Sequence, residues 1–255
     1  MTQGLVARAT AALRQRADFS EVLADPWVAL PARELAQRPV YLDRDGRVNL
    51  GELFEIRGDP DGQIRFEGEL DRVERFGAGL GEGLVIVQGN VGKEAGMGMS
   101  GGTLVIEGSA GDRAGAARLG YKRGMTGGEL IVRGSAGTES GAGMRRGLLV
   151  IGRDAGDRTG LGMIAGTAIL LGDAGRDTGL WSKRGSVVAL GRITPPATYA
   201  YACTYQPIHL RLTLARLRTR YQLRIHRRHL TGLYRRYSGD FAELGKGEIL
   251  EWTAT

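Results

Sequence analysis

Between Gly77 and Gly191 the chain repeats itself, and a repeat of this kind restricts the possible folds more than any composition does. Six short apolar runs, LVIVQ, TLVIE, ELIVR, LLVI, AILL and VVAL, are closed by Gly89, Gly108, Gly134, Gly152, Gly172 and Gly191. Those glycines lie 19, 26, 18, 20 and 19 residues apart. A second signature, G-x2-G-x3-G-x-G, recurs between the runs. It is complete at Gly89, Gly92, Gly96 and Gly98 and again at Gly134, Gly137, Gly141 and Gly143. At Gly152, Gly156, Gly160 and Gly162 its first gap is one residue longer. Of 42 glycines, 32 fall in this stretch, and no proline lies between Asp61 and Thr194.

Each unit holds one aliphatic, β-branched run too short for a helix, so the repeat is one strand stacked on copies of itself. Glycine supplies the corners at which the chain turns back. Proline is missing because every such strand donates to a ladder on both sides. The predicted fold is all-β: a right-handed parallel β-helix (β-solenoid) of about seven rungs, with small irregular or helical extensions at both ends. Counting back from each closing glycine, positions −2 and −4 are apolar in every rung. The pairs are Val87/Val85, Ile106/Leu104, Val132/Leu130, Val150/Leu148, Leu170/Ala168 and Ala189/Val187. These are assigned to the interior. The opposite face is apolar at −3 throughout and at −1 in the last three rungs (Ile151, Leu171, Leu190). Such a face needs a cover, either the chain's own tail or another subunit.

Three regions follow: an N-terminal extension over 1–50, the β-helix over 51–194 and a basic C-terminal extension over 195–255. In the first, Leu5–Arg16 reads as a short helix and the segment from Pro31 as a second. Asp45-Gly46 marks a turn between two short strands. Leu53–Gly58 and Ile64–Gly68 resemble degenerate first rungs. The one long spacing contains Ala116–Arg123, an insertion that emerges as a loop. In the tail, Ile208 to Leu214 alternates like a strand, whereas Leu214, Leu217, Tyr221 and Ile225 have helical spacing, and both readings stand.

The glycine clusters do not read as phosphate cradles, because a strand rather than a helix follows each one. The single cysteine, Cys203, excludes a disulfide framework and cysteine-held clusters within the chain, and in its aromatic surroundings it reads as a packing residue. His226 and His229 are three apart, but no nearby carboxylate or thiol completes a metal set. No catalytic constellation emerges, and no carboxylates sit at recurrent positions. No run is long enough to span a membrane, and the N-terminus lacks a leader pattern, so a cytoplasmic protein is expected. The net charge is +7, and +6 of it lies from Tyr205 onward, where nine arginines and Lys246 face four carboxylates. This tail reads as a solvated face, as a nucleic-acid surface with tyrosines for stacking, or as a set of bidentate partners for carboxylates.

The segments GNVGKEAGMGMSGGTLVIEGSAGDRAG, RGMTGGELIVRGSAG and YSGDFAELGKGEI resemble the glutamate-synthase C-terminal-domain type of β-helix. They are most similar to the glycine-rich subunit of the formylmethanofuran dehydrogenase family and of the bacterial formyltransferase/hydrolase complex. The resemblance implies a non-catalytic scaffold in a one-carbon complex. That complex moves a formyl group from tetrahydromethanopterin to a methanofuran-type cofactor and hydrolyses it to formate. It also implies partners: a zinc-containing, amidohydrolase-like formylhydrolase subunit, a formyltransferase subunit and a further subunit, with no nucleic acid and no membrane. No catalytic residue, metal or cofactor is expected in this chain alone. Methanofuran-type cofactors carry a polyglutamate arm, and Lys122, Arg123, Arg227, Arg228, Arg235 and Arg236 are its expected contacts. A glutamate-synthase-linked segment and a nucleic-acid-binding solenoid are the alternatives.

Overall fold

The structure, a computed structural model, describes residues 4–24 and 26–253. The N-terminal part comprises β1 (Leu5–Ala9), β2 (Ala17–Asp18), α1 (Ala32–Leu35), β3 (Pro39–Leu42), β4 (Gly46–Asn49), α2 (Leu50–Leu53) and β5 (Phe54–Arg57). The repeat supplies β6 (Gln63–Glu67), β7 (Val73–Glu74), β8 (Leu84–Gln88), β9 (Thr103–Ile106), β10 (Glu129–Val132), β11 (Leu148–Ile151), β12 (Thr167–Leu170) and β13 (Arg184–Ala189). The tail forms β14 (Ala200–Tyr205), α3 (Ile208–Arg220), α4 (Arg227–Thr231), β15 (Leu233–Gly239) and β16 (Lys246–Thr253).

Twelve strands make one open sheet in the order β14-β15-β16-β13-β12-β11-β10-β9-β8-β6-β1-β5. From β16 to β1 every neighbour is parallel, whereas β5 and the β14–β15 ribbon close the two edges antiparallel. A second column of parallel bridges runs Leu70, Val91, Ala110, Ala136, Ala155, Ala174. Successive turns of the chain are therefore in register along two lines. The turns also approach closely: a Cβ on Gly101 would lie 1.9 Å from the Gly81 carbonyl oxygen, so only glycine fits. A smaller sheet, β4-β3-β2-β7, packs at the N-terminal end.

Three expectations change here. Leu5–Arg16 is not a helix: Leu5 and Ala7 are buried and β1 extends the parallel ladder beside β6. Phe54–Arg57 is not a rung, since it pairs antiparallel with β1, while Gln63–Glu67 does join β8 in parallel. The fourth run is shifted by one residue, because Leu130 pairs with Leu149 and Val132 with Ile151. Its interior residues are therefore Leu149 and Ile151, and Leu148 and Val150 face outward into the second apolar cluster.

The interior is dry and aliphatic, with Met99, Met125, Met144 and Met163 stacked at one corner and each at most 1% exposed. At the N-terminal end it is plugged by aromatic rings: Phe66 meets Phe76 edge-on at 4.9 Å and Phe54 at 5.6 Å, and Trp27 is fully buried. Edge-to-face rings fill this irregular end at about 1 kcal/mol per pair beyond their buried area.

Candidate binding surfaces

The outer apolar face is covered by the chain's own tail. Helix α3 presents Leu210, Leu214 and Leu217, spaced four and three residues apart and all buried, to Val105, Ile131, Val150, Ile169 and Val188. Tyr221, Leu223 and Ile225 extend the cover toward β9 and β10. Helical spacing prevails over strand alternation because only the helix buries these residues against that face. Glu129 pins the helix end: Arg216 reaches it at 2.5 Å and the Tyr221 hydroxyl donates to it. Burial first, and Glu129 second, hold the Tyr221 phenol above its ordinary pKa.

The six cations expected to hold a carboxylate arm are not brought together. Lys122 and Arg123 are exposed on the insertion loop, whose ends bond to a turn of the repeat through Ala117 N–H to Ala142 O and Gly124 N–H to Gly143 O. Arg227 and Arg228 belong to α4, and Arg235 and Arg236 to β15. Three of them are engaged within the chain. Arg228 lies 5.0 Å over the Trp252 ring, Arg236 donates to Glu248 at 2.8 Å and Arg235 lies 3.8 Å from Glu251. Among the described residues, no carboxylate comes within 4.0 Å of Lys122, Arg123 or Arg227.

His226 and His229 have ring centroids 5.7 Å apart, and His229 packs edge-on to Trp252 at 4.9 Å. Burial, then Arg228 and His226, lower the His229 pKa to about 4. Among the described residues, no group of three His, Cys, Asp or Glu is placed to hold a metal ion. Cys203, read as a packing residue, is instead exposed on β14 beside a register shift. Among the described residues, no helix is long and apolar enough to cross a membrane.

Two features escaped the sequence reading. The first is a column of left-handed corner residues of alternating sign: Arg75, Glu94, Arg113, Glu139, Arg158 and Asp177, all with φ between 55° and 64°. Glu94 bridges Arg75 at 2.9 Å and Arg113 at 3.5 Å, and Glu139 bridges Arg113 at 2.7 Å and Arg158 at 3.1 Å. Asp18 ends the column on Arg75. Burial works against the Arg75 charge, yet Asp18 and Glu94 outweigh it and raise its pKa. Carboxylates do recur at one phase of the repeat, every second turn, contrary to the expectation. The second is a cleft of about 430 Å³ lined by Arg145, Arg146, Lys183, Arg184, the 164–166 backbone and Leu244. Its signal was present: the two dibasic pairs stand 38 residues apart, two regular periods of 19.

No family model matches the chain. No curated protein matches it either. Among solved structures it is similar to a chain of the crystal structure of the formyltransferase/hydrolase complex (FhcABCD) from Methylorubrum extorquens, a structure in complex with methylofuran. The two chains are 32% identical, the match covers 98% of this chain and 100% of that one, and the TM-score is 0.77.

Proposed function

Because this chain belongs to the family of that formyltransferase/hydrolase complex chain, we propose that it is the non-catalytic scaffold of such a complex. In this reading the complex carries a formyl group on a methanofuran-type cofactor and releases it as formate, a step of one-carbon metabolism. Transfer and zinc-assisted hydrolysis belong to the partner subunits. Likeness over the whole length of both chains carries the proposal, since it leaves no part of either unmatched that could hold a different activity. The parallel turns support a right-handed β-helix as the scaffold's form: a ladder with two lines of in-register pairing deforms little and presents fixed surfaces on several sides.

The cofactor contacts narrow within this proposal. Lys122, Arg123 and Arg227 are the cations of the expected set left open to an external carboxylate chain, while Arg228, Arg235 and Arg236 shape the tail from within. The outer apolar face no longer argues for a partner, because α3 covers it. Size-exclusion chromatography with mass spectrometry on the chain isolated from its own cells at physiological salt tests membership. Co-elution with a formyltransferase and an amidohydrolase-like protein is expected. Elution alone, as a monomer or homo-oligomer, would overturn the proposal.

A further inference from the structure

Arg145-Arg146 and Lys183-Arg184 precede β11 and β13 at the same phase of the repeat, two turns apart. With strands about 4.8 Å apart, that places the two pairs roughly 10 Å from one another. The intervening turn is Ile164-Ala165-Gly166, which is uncharged and leaves a low floor between them. The backbone N–H groups of Arg145, Ile164 and Lys183 are all spent on the turn before, so the cleft offers cationic side chains rather than an amide nest. Among the described residues, no carboxylate lies within 4.0 Å of Arg145, Arg146 or Arg184, and Lys183 meets only Glu243, at 3.8 Å. Elsewhere on this protein arginines are commonly paired; here three stay unpaired around one cleft.

The neighbouring surface is apolar and exposed. Leu244 forms one wall of the cleft and is 54% exposed. Phe241, in the same loop, is 62% exposed, and Trp181, whose N–H donates to Asp240 at 2.7 Å, is 54% exposed. A solubilising face has no use for a Trp, a Phe and a Leu beside four cations. Aromatic and arginine side chains together are the composition of interface centres.

We infer that this surface docks an extended acidic segment of a protein partner, with carboxylates about three residues apart on the two dibasic pairs and an apolar side chain against Leu244, Phe241 and Trp181. At about 3.3 Å per residue, three residues of extended chain span the separation of the pairs. One small anion does not reach both. Arginine forks hold carboxylates bidentately, which fixes the segment's register as well as its charge. A protein is favoured over a nucleic acid because the inference rests on the proposed place of this chain in a multi-subunit complex.

Replacing Leu244 with the photo-crosslinker p-benzoylphenylalanine in the full-length chain, expressed in its own cells, tests this. Irradiated material is separated at physiological salt and its adducts are sequenced by mass spectrometry. The expected adduct joins position 244 to a co-eluting protein, at a segment carrying at least two Asp or Glu. Its yield falls about tenfold in Arg146→Glu/Arg184→Glu and is unchanged in Arg211→Glu/Arg218→Glu, which reverses exposed charges on α3. If the double reversal lowers the melting temperature, Arg146→Gln/Arg184→Gln replaces it, with about a threefold fall expected. An adduct to nucleic acid, to a segment without carboxylates, or one indifferent to the Arg146/Arg184 changes would overturn the inference, as would no adduct, while co-elution leaves complex membership standing. Elution of the chain alone would overturn both.

Discussion

At the scale of single residues, two buried ionisable groups, His229 and Glu94, respond measurably to change. His229 has its pKa lowered from 6.5 to about 4, so between those values the unfolded chain takes up a proton that the folded chain refuses. Stability is therefore complete above about pH 6.5 and falls as the pH drops toward 4. Melting temperatures measured across that window should decline more steeply for the native chain than for His229→Gln, and parallel curves would contradict the assignment. Glu94, with its side chain 4% exposed between Arg75 and Arg113, is the keystone of the alternating column. Glu94→Gln should cost about 3 kcal/mol in urea unfolding, because it leaves two guanidinium groups facing each other across a partly buried corner. Asp177→Asn, at the exposed end of the same column, should change stability by less than about 0.5 kcal/mol. This column was legible only in part. Its residues recur at intervals of 19, 19, 26, 19 and 19, the same period as the strands, but a charged residue with positive φ carries no signature of its own. The slip in the fourth run has a plainer cause. Spacings of 18 and then 20 sum to two periods of 19, and Gly152 stands where the neighbouring rung has Arg133.

At the scale of elements, the strands announced themselves and the covering helix did not. The runs at β8 to β13 are short, aliphatic and periodic, so their pairing follows from sequence alone. Helix α3 is amphipathic only with respect to a face that exists once the coil has formed, which is why Ile208 to Leu214 also reads as a strand. Leu214 is fully buried while Leu212 is 71% exposed. Leu214→Ala should cost about 3 kcal/mol, and Leu212→Ala less than about 0.5 kcal/mol. Equal effects would mean that α3 does not cover the outer face. The glycines divide in the same way. Gly101→Ala forces a Cβ into the Gly81 carbonyl and should break the stacking of neighbouring turns, whereas Gly98, with open space around it and φ of 66°, should lose only about 1 kcal/mol as alanine. Comparing the two melts separates close approach from conformational freedom. Leu5–Ala9 misled for the opposite reason: its local pattern suits a helix end, but the ladder gains a strand by recruiting it.

At the scale of the whole molecule, both ends of the ladder are closed by antiparallel strands, β5 at one edge and the β14–β15 ribbon at the other. Closed edges leave the sides of the coil as the surfaces through which it meets other chains. Sequence pointed to the cationic tail, where most of the net charge lies, and missed the cleft beside β11 and β13, because two dibasic pairs 38 residues apart look unrelated until the period is applied to charge as well as to apolar residues. The proposed role is that this chain holds a formyl-transfer complex together, and native mass spectrometry of the complex purified from cells that lack the chain puts that role to the test. If the chain is the scaffold, the remaining subunits no longer travel as one assembly, and re-expressing the chain restores it. An intact assembly of the other subunits without this chain would contradict the scaffold reading.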